Sequence, residues 1–392
     1  MQINGSTTPA TSRSNPSPRD VTPAGPDAAA KTQTTETLRL TARTQTLTNA
    51  LHRLQGASPT HGMVAVIAGG FSASGGLSVL VAGDRISALI TDDRGGTPPW
   101  VYYNDAKLAD QVTVDAASID NIYTAGGDDL VTIRATGTVT SVNTGNDNDI
   151  VSISADVVAG VHLDVSDDPQ TMASGVLRHG DDVAQITGRL VSAVYGGGGN
   201  DRIIVAATER GEASGGTGND VIAVAAPTGG ADGGDGDDHL ILNIGHGETE
   251  GDLFTTTGYL AGTAPAYAAF RTDVYGGAGN DLIDADIGTQ LGIEAGKGDD
   301  RVNIAAGRGA LVWAAGDGND TVHLGAGAEV VLRLEGITDY TVERGENSLT
   351  LRLGSGSIRF DGLDHSGFIA VSLGWGQTQV LHPGRATADI KV

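Results

Sequence analysis

One nine-residue pattern recurs along this chain at a nearly constant spacing, and it limits the possible folds more than any other feature. Six close copies are GGGGNDRII at 196–204, GGTGNDVIA at 215–223, GGDGDDHLI at 233–241, GGAGNDLID at 276–284, AGKGDDRVN at 295–303 and AGDGNDTVH at 315–323. Weaker copies are TAGGDDLVT at 124–132, TGNDNDIVS at 144–152 and LRHGDDVAQ at 177–185. Six of the eight gaps between successive sixth-position Asp residues are 18–20 residues long. Such a period is typical of repeats that stack on one another.

Apolar residues alternate with other residues after each copy, as at Ile203 and Val205 or at Val322 and Leu324. A further apolar residue precedes several copies, as at Val194 and Ile293. Alternation with period two predicts strands with one buried face. We therefore expect an all-β fold, a right-handed parallel β-roll or β-solenoid with turns of about 19 residues, closed by β caps. Residues 112–335 would supply about twelve such turns.

The composition of the turns points to a bound cation. Glycines at the first, second and fourth positions permit positive φ angles and close backbone approach. Asn or Asp at the fifth position tolerates left-handed backbone geometry. Turn formation does not require the Asp at the sixth position, and stacking at about 4.8 Å brings these carboxylates into one column. Such a column is unstable unless cations lie in it, and hard oxygen ligands select calcium over zinc or copper.

The pattern resembles the hemolysin-type calcium-binding repeat, GGxGxDxUx, of the RTX family. This resemblance implies a parallel β-roll in which Asp carboxylates and loop carbonyls hold Ca²⁺ between motifs one turn apart. An intact motif occurs here only once per 18–20 residues, so we expect ions along one edge of the roll. The candidate carboxylate ligands are Asp129, Asp149, Asp182, Asp201, Asp220, Asp238, Asp281, Asp300 and Asp320. The other candidate site residues are Gly197, Gly199, Asn200, Gly216, Gly218, Asn219, Gly234, Gly236, Asp237, Gly277, Gly279, Asn280, Gly296, Gly298, Asp299, Gly316, Gly318 and Asn319.

Each ion needs two motifs one turn apart. The pairs 201/220, 220/238, 281/300 and 300/320 have this spacing and intact motifs, while 182/201 and 129/149 involve weaker copies. The sequence thus predicts about four to six calcium ions. The alternative, that Asp and Gly here only form turns without metal, stays open.

Composition and charge exclude several classes of protein. The 392 residues contain no Cys, which excludes disulfides, thiolate zinc sites and cysteine catalysis. A net charge of -24 argues against a nucleic-acid partner. No apolar run is long enough for a transmembrane helix. The 38 Asp against 10 Glu favour turns over helices.

The chain divides by composition. Residues 1–35, rich in Ser, Thr and Pro, are expected to be a disordered export segment without the apolar core of a signal peptide. Residues 36–56 form a short amphipathic helix in this interpretation. Residues 61–111 are a β cap or the first turns, 112–335 the solenoid, and 336–392 a C-terminal β flank, cap and tail. Residues 245–273 are interpreted as an insertion loop protruding from the rod.

We interpret the chain as an exported bacterial calcium-binding repeat protein of virulence or host interaction, and not itself an enzyme. Its partners would be calcium, a secretion apparatus or export chaperone, and a host protein or polysaccharide. One alternative is a calcium-dependent lyase or epimerase-like enzyme on acidic polysaccharide, with loop 245–273 near its site. The other alternative is a cytolysin, although the sequence shows no membrane-inserting region. We expect the protein to be secreted. The N-terminal segment would carry the signal for a type III route, or residues 363–392 the signal for a type I route.

Overall fold

The computed structural model describes residues 65–71, 77–86, 89–90, 109–124, 126–164, 179–244, 272–287, 291–364, 367–373, 378–384 and 390–391. The expected segments 1–35 and 36–56, and all of loop 245–273 except its last two residues, lie outside these ranges. Every regular element in the described part of the chain is a β-strand. Within those same ranges, no helix is long and apolar enough to span a membrane.

The strands follow one another along the whole described chain. The first thirteen are β1 Ala65–Phe71, β2 Leu77–Ile86, β3 Leu89–Ile90, β4 Gln111–Tyr123, β5 Leu130–Ala135, β6 Thr138–Gly145, β7 Ile150–Ser154, β8 Val157–Val158, β9 Val161–Asp164, β10 Val183–Gly198, β11 Arg202–Thr217, β12 Val221–Ala226 and β13 Thr228–Asp235. The remainder are β14 His239–Ile244, β15 Thr272–Ala278, β16 Leu282–Ile287, β17 Leu291–Lys297, β18 Arg301–Ala306, β19 Arg308–Ala314, β20 Asn319–Leu324, β21 Glu329–Glu335, β22 Thr341–Arg344, β23 Ser348–Leu353, β24 Gly356–Asp361, β25 Ile369–Ser372, β26 Thr378–Leu381 and β27 Ile390–Lys391.

These strands form two parallel stacks. The first stack contains β2, β4, β5, β7, β10, β11, β12, β14, β16, β18, β20 and β24, each hydrogen-bonded to the next. The second contains β3, β4, β6, β8 with β9, β10, β11, β13, β15, β17, β19, β21 and β25. The long strands β4, β10 and β11 bend and contribute to both stacks. The expectation of an all-β, parallel, roll-like fold is confirmed.

The core lies between the two stacks. Alternate residues point inward, so that Ile203 and Val205 of β11 are buried on the first stack and Val194 of β10 is buried on the second. The same positions carry Val, Ile, Leu or Ala in the neighbouring turns, and together they form one continuous cluster. One turn cannot cover its own apolar face, so each turn is stabilised by the turns above and below it.

Two long gaps between motifs add no turn. Strands β14 and β16 pair directly although residues 245–271 separate β14 from β15. Strands β7 and β10 pair directly although residues 165–182 separate β9 from β10. Residues 112–335 therefore hold ten strands of the first stack, counted over the described ranges, and the expectation of about twelve was wrong. Residues 112–335 include inserted segments, so dividing their number by the period overestimates the number of turns.

Antiparallel strands cover the first stack at both ends and the second stack at its C-terminal end. At the N-terminal end β1 pairs antiparallel with β2. At the C-terminal end β22, β23 and β24 form one antiparallel meander, and β25, β26 and β27 form a second. These strands cover edges that would otherwise be open for pairing with another chain.

Candidate metal centre

The Gly-rich turns line one edge where the second stack passes into the first. Glycines at the second and fourth positions have positive φ, for example 117° at Gly216 and 123° at Gly218. A Cβ on Gly218 would overlap the carbonyl oxygen of Gly199 in the preceding turn. The expectation of positive φ thus holds for these two positions. First-position glycines such as Gly215 do not have positive φ, and there the absence of a side chain serves close approach alone.

Fifth-position side chains form an exposed hydrogen-bond ladder. The expectation that Asn and Asp occur there because they tolerate left-handed backbone geometry was wrong. Among the described residues only Asp147 and Ala193 combine a side chain with positive φ. The fifth-position oxygen instead accepts the backbone N–H of the next turn, as Asn200 Oδ1 does from Asn219 at 2.9 Å. The column runs Asp128, Asn148, Asp181, Asn200, Asn219, Asp237, Asn280, Asp299, Asn319. No two Asp are neighbours in it, so direct charge repulsion between adjacent turns is avoided.

Sixth-position carboxylates form a second, buried ladder of opposite direction. Each Oδ1 accepts the backbone N–H of the Asp in the preceding turn, as Asp220 Oδ1 does from Asp201 at 2.7 Å. All nine predicted Asp residues are consecutive members of this column, with N–H···Oδ1 distances of 2.6–3.0 Å. Because of the insertion, the neighbour of Asp238 is Asp281, a pair that sequence spacing missed.

The ladder also begins one turn earlier than the sequence predicted. The N–H of Asp110 donates to Asp129 Oδ1 at 2.7 Å. Asp110 lies 19 residues before Asp129 and precedes the alternating segment QVTV, so the period itself contained the signal. Because the glycines of the motif are missing there, the period alone was too weak a signal to identify Asp110 as a member of the ladder.

The second carboxylate oxygen is buried and has no hydrogen-bond partner in most turns of the column. This holds for the Oδ2 atoms of Asp149, Asp182, Asp201, Asp220, Asp238, Asp281 and Asp300. The residues themselves are 0–2 % exposed. A buried carboxylate oxygen without a proton or a cation beside it carries a large desolvation penalty.

First-position glycines let four of these oxygens approach a carbonyl oxygen of the next turn. A Cβ on Gly215 would overlap Asp220 Oδ2 and lie 2.7 Å from the Gly233 carbonyl oxygen of the next turn. Gly196, Gly233 and Gly276 stand in the same relation to Asp201, Asp238 and Asp281 and to the next turn's carbonyl. At each of these glycines a carboxylate oxygen and a carbonyl oxygen, both acceptors, thus lie close to the position that a Cβ would take. Two acceptors so close together can both be satisfied only by a cation or a proton between them.

Burial changes the acidity of the column. The pKa of Asp201 is raised to about 8, and desolvation by burial is the largest cause. The hydrogen bond from the Asp182 N–H lowers the same pKa by a smaller amount. The pKa is raised by desolvation to about 7 at Asp238 and Asp281 and to about 6 at Asp220 and Asp300. Neighbouring carboxylates add to the shift at Asp201, Asp238, Asp281 and Asp300. The folded turns therefore favour a positive species at these oxygens.

The first position carries other side chains in the turns outside this region. In the N-terminal turns Thr124 Oγ1 donates to the Thr144 carbonyl at 3.1 Å, and Thr144 Oγ1 donates to the Leu163 carbonyl at 2.8 Å. In the last turn Trp313 Nε1 donates to Asp320 Oδ2 at 2.6 Å. Strand register places Leu163, Ala295 and Trp313 in the same column as the first-position glycines.

This register corrects two motif alignments. In the copy whose sixth position is Asp182, the first two positions are Leu163 and Asp164, not Leu177 and Arg178. The reason is that residues 165–178 are inserted within the turn. Asp164 Oδ2 there accepts the N–H of Gly198 at 3.0 Å and lies 3.1 Å from His179 Nδ1. In the last copy Trp313 occupies the first position in place of Ala315.

The donor set fits a hard cation. Within the described ranges, no group of three or more His, Asp or Glu side chains is arranged to hold a metal by itself. A site between two turns would therefore combine one or two Asp carboxylates with backbone carbonyls. All-oxygen coordination of this kind suits Ca²⁺ and does not suit zinc or copper.

A separate depression of about 390 Å³ lies on the outer face of the first stack. Ile204, Ala223 and Ile241 form its floor, and Asp284 and Asn303 lie at one end. Asp284 Oδ2 lies 2.9 Å from His239 Nε2, and Asp284 Oδ1 accepts Asn303 Nδ2 at 2.6 Å. Those hydrogen bonds hold the carboxylate at the side of an apolar surface, where it has no nucleophile to activate among the lining residues.

Comparisons with known proteins give little further information. No protein-family model and no curated protein sequence matches this chain. Among solved structures, the extracellular lipase LipA from Serratia marcescens is similar over 65 % of this chain, with 13 % sequence identity and a TM-score of 0.22. The match spans 43 % of the lipase chain. A likeness at this TM-score carries no argument about function, so a function for this chain has to be inferred from the geometry of its turns.

Proposed function

We propose that this chain is an exported protein that binds Ca²⁺ along the Gly-turn edge and completes its fold on binding. The observation that carries the proposal is the repeated pairing of a buried, unpartnered Asp Oδ2 with a carbonyl oxygen of the next turn across a first-position glycine. A divalent cation there satisfies both acceptors and neutralises the column. Glycine turns without metal would leave these oxygens orphaned.

Four sites follow from the four first-position glycines. They lie between the turns of Asp201 and Asp220, Asp220 and Asp238, Asp238 and Asp281, and Asp281 and Asp300. Asp201, Asp220, Asp238 and Asp281 would supply Oδ2, and Gly215, Gly233, Gly276 and Ala295 would supply carbonyl oxygens. Bound Ca²⁺ supplies positive charge and links neighbouring turns.

Coupling of binding to folding gives the proposed biological role. At low intracellular calcium the carboxylates repel one another and the chain stays export-competent. In an extracellular medium with calcium of about 10⁻³ M, sites of roughly 10⁻⁴–10⁻³ M affinity fill and the solenoid closes. The folded rod then presents its outer faces to a host protein or polysaccharide. The N-terminal segment would contact the secretion apparatus or an export chaperone.

Calcium titration of the full chain tests the proposal. We expect isothermal titration calorimetry to give about four ions. We also expect circular dichroism to lose β signal after chelation and to regain it with Ca²⁺ but not with Mg²⁺, which prefers rigid octahedral sites. The variant Asp220→Asn removes a carboxylate oxygen with little change of shape and should lower the stoichiometry by one or two. The matched control Asp237→Asn alters the exposed fifth-position column and should leave stoichiometry unchanged.

Two results would contradict calcium binding. One is a β signal and thermal midpoint that are the same in chelator and in Ca²⁺. The other is equal loss of calcium in Asp220→Asn and Asp237→Asn, which would indicate diffuse counter-ion binding to an acidic surface. The export route is tested separately, because deletion of residues 1–30 should block a type III route and deletion of 363–392 a type I route.

A further inference from the structure

The residue at the first position of each turn differs along the rod in a systematic way. Following the register from the N-terminal end, the column reads Thr124, Thr144, Leu163, Gly196, Gly215, Gly233, Gly276, Ala295, Trp313. The four glycines are consecutive in space, although their residue numbers are separated by an insertion. Larger side chains occupy the column on both sides of them.

At the N-terminal end hydroxyl groups donate to the carbonyl oxygens beside the first position, while Asp149 Oδ2 keeps no hydrogen-bond partner. Thr144 is fully buried, and its Oγ1 donates to the Leu163 carbonyl at 2.8 Å. Thr124 donates in the same way to the Thr144 carbonyl. The Thr144 hydroxyl also lowers the pKa of Asp149 in part, against a dominant rise from burial. A protein donor thus satisfies the carbonyl oxygen that would serve as the backbone ligand of a cation between these turns.

At the C-terminal end an indole has the corresponding role. Trp313 is 2 % exposed, and its Nε1 donates to Asp320 Oδ2, the oxygen that is unpartnered in the glycine turns. One turn earlier Ala295 has a methyl group at the position where the glycines have no side chain. In both turns a side chain thus occupies the position at which the glycine turns bring a carboxylate and a carbonyl oxygen together.

We propose that the first-position side chain sets the calcium dependence of each turn, so that a calcium-dependent middle is flanked by calcium-independent ends. The inference rests on the proposed function and deepens it. The N-terminal part, with β1 to β9, has enough stacked turns to fold by itself, since neighbouring repeats supply most of the stability. The chelated protein would then be a partly folded chain with an ordered N-terminal rod and an open centre.

Hydrogen–deuterium exchange of the full chain locates the boundary. In chelator we expect amides of β5 and β7 to stay protected, while those of β11, β12, β14 and β16 exchange at least about tenfold faster than with calcium. Equal loss of protection in all of these strands would overturn the inference while leaving calcium binding intact. Failure of the wild-type chain to bind calcium at all would instead remove the proposed function.

A gain-of-site variant tests the role of the hydroxyl directly. Thr144→Gly recreates the open first position beside Asp149, so we expect one additional bound Ca²⁺ and a chelator-sensitive β5 and β7 that calcium restores. Thr144→Ser keeps the hydroxyl and should behave as wild type. If Thr144→Gly loses protection equally with and without calcium, the threonine is only a packing residue and the inference is wrong.

Discussion

At the scale of the residue, the two oxygens of each sixth-position Asp have different roles. Oδ1 joins adjacent turns through a backbone N–H, whereas in the turns with a first-position glycine Oδ2 lies close to another acceptor, a carbonyl oxygen of the next turn. The residue type could be predicted from the repeat, since Asp recurs at one fixed position. The division between its oxygens could not, because it depends on which N–H of a neighbouring turn lies within reach.

Acid should stabilise the folded chain when calcium is absent. The pKa of Asp220 is raised to about 6 and that of Asp201 to about 8, mainly by desolvation, above the ordinary unfolded value. Between about pH 4 and 8 the folded state therefore binds more protons than the unfolded state, and the free energy of unfolding falls as pH rises. Urea midpoints of calcium-free protein should decrease from pH 5 to pH 8, and millimolar calcium should flatten this slope. A calcium-free midpoint that rises with pH would mean that these carboxylates are ionised in the folded state.

At the scale of the element, the turn depends on glycines at positions where any side chain would meet the preceding backbone. Their spacing was predictable from the sequence, and so was their positive φ at the second and fourth positions. The contribution of the fifth-position residues was not, because their side chains act between turns. Only the stacked structure shows that Asn and Asp side chains form a ladder in which no two Asp are neighbours.

Alanine at a fourth-position glycine should be strongly destabilising. Gly218 has φ of 123°, and a Cβ there would overlap the Gly199 carbonyl, so Gly218→Ala combines backbone strain with a clash. We expect a loss of about 3 kcal/mol or more in the free energy of unfolding, measured by urea denaturation with calcium present. Gly327→Ala is the control, because Gly327 has φ of 83° and nothing within 4 Å of a Cβ, and strain alone should cost about 1 kcal/mol. Equal losses in both variants would show that close approach between turns is unimportant.

At the scale of the whole molecule, insertions leave the stacking of turns intact. Strands on both sides of residues 245–271 pair with the same register as uninterrupted turns. The equivalent connection from β12 to β13 is the single residue Pro227. The long segment is therefore unnecessary for closing this turn.

Replacing residues 246–270 with a short Gly-Ser linker should not lower the stability of the solenoid. Shortening a loop decreases the entropic cost of its closure by about 0.6 kcal/mol for each halving of length, so the thermal midpoint should stay the same or rise. Circular dichroism and calcium stoichiometry should also be unchanged. Deletion of 221–230, which removes half a turn and breaks the register, serves as the control and should be severely destabilising. A large loss of stability on replacing 246–270 would show that this segment supports the fold.

The sequence by itself determined the all-β repeat, the period of its turns and the column of Asp residues, because period and turn chemistry are local properties. Tertiary structure decided which turns are neighbours. It joined Asp238 to Asp281 and Asp149 to Asp182 across insertions whose length the sequence cannot separate from added turns. It also placed Thr144 and Trp313 where glycines stand in the central turns. Those placements depend on strand register between distant segments, which is fixed only when the stacked turns bury their shared core.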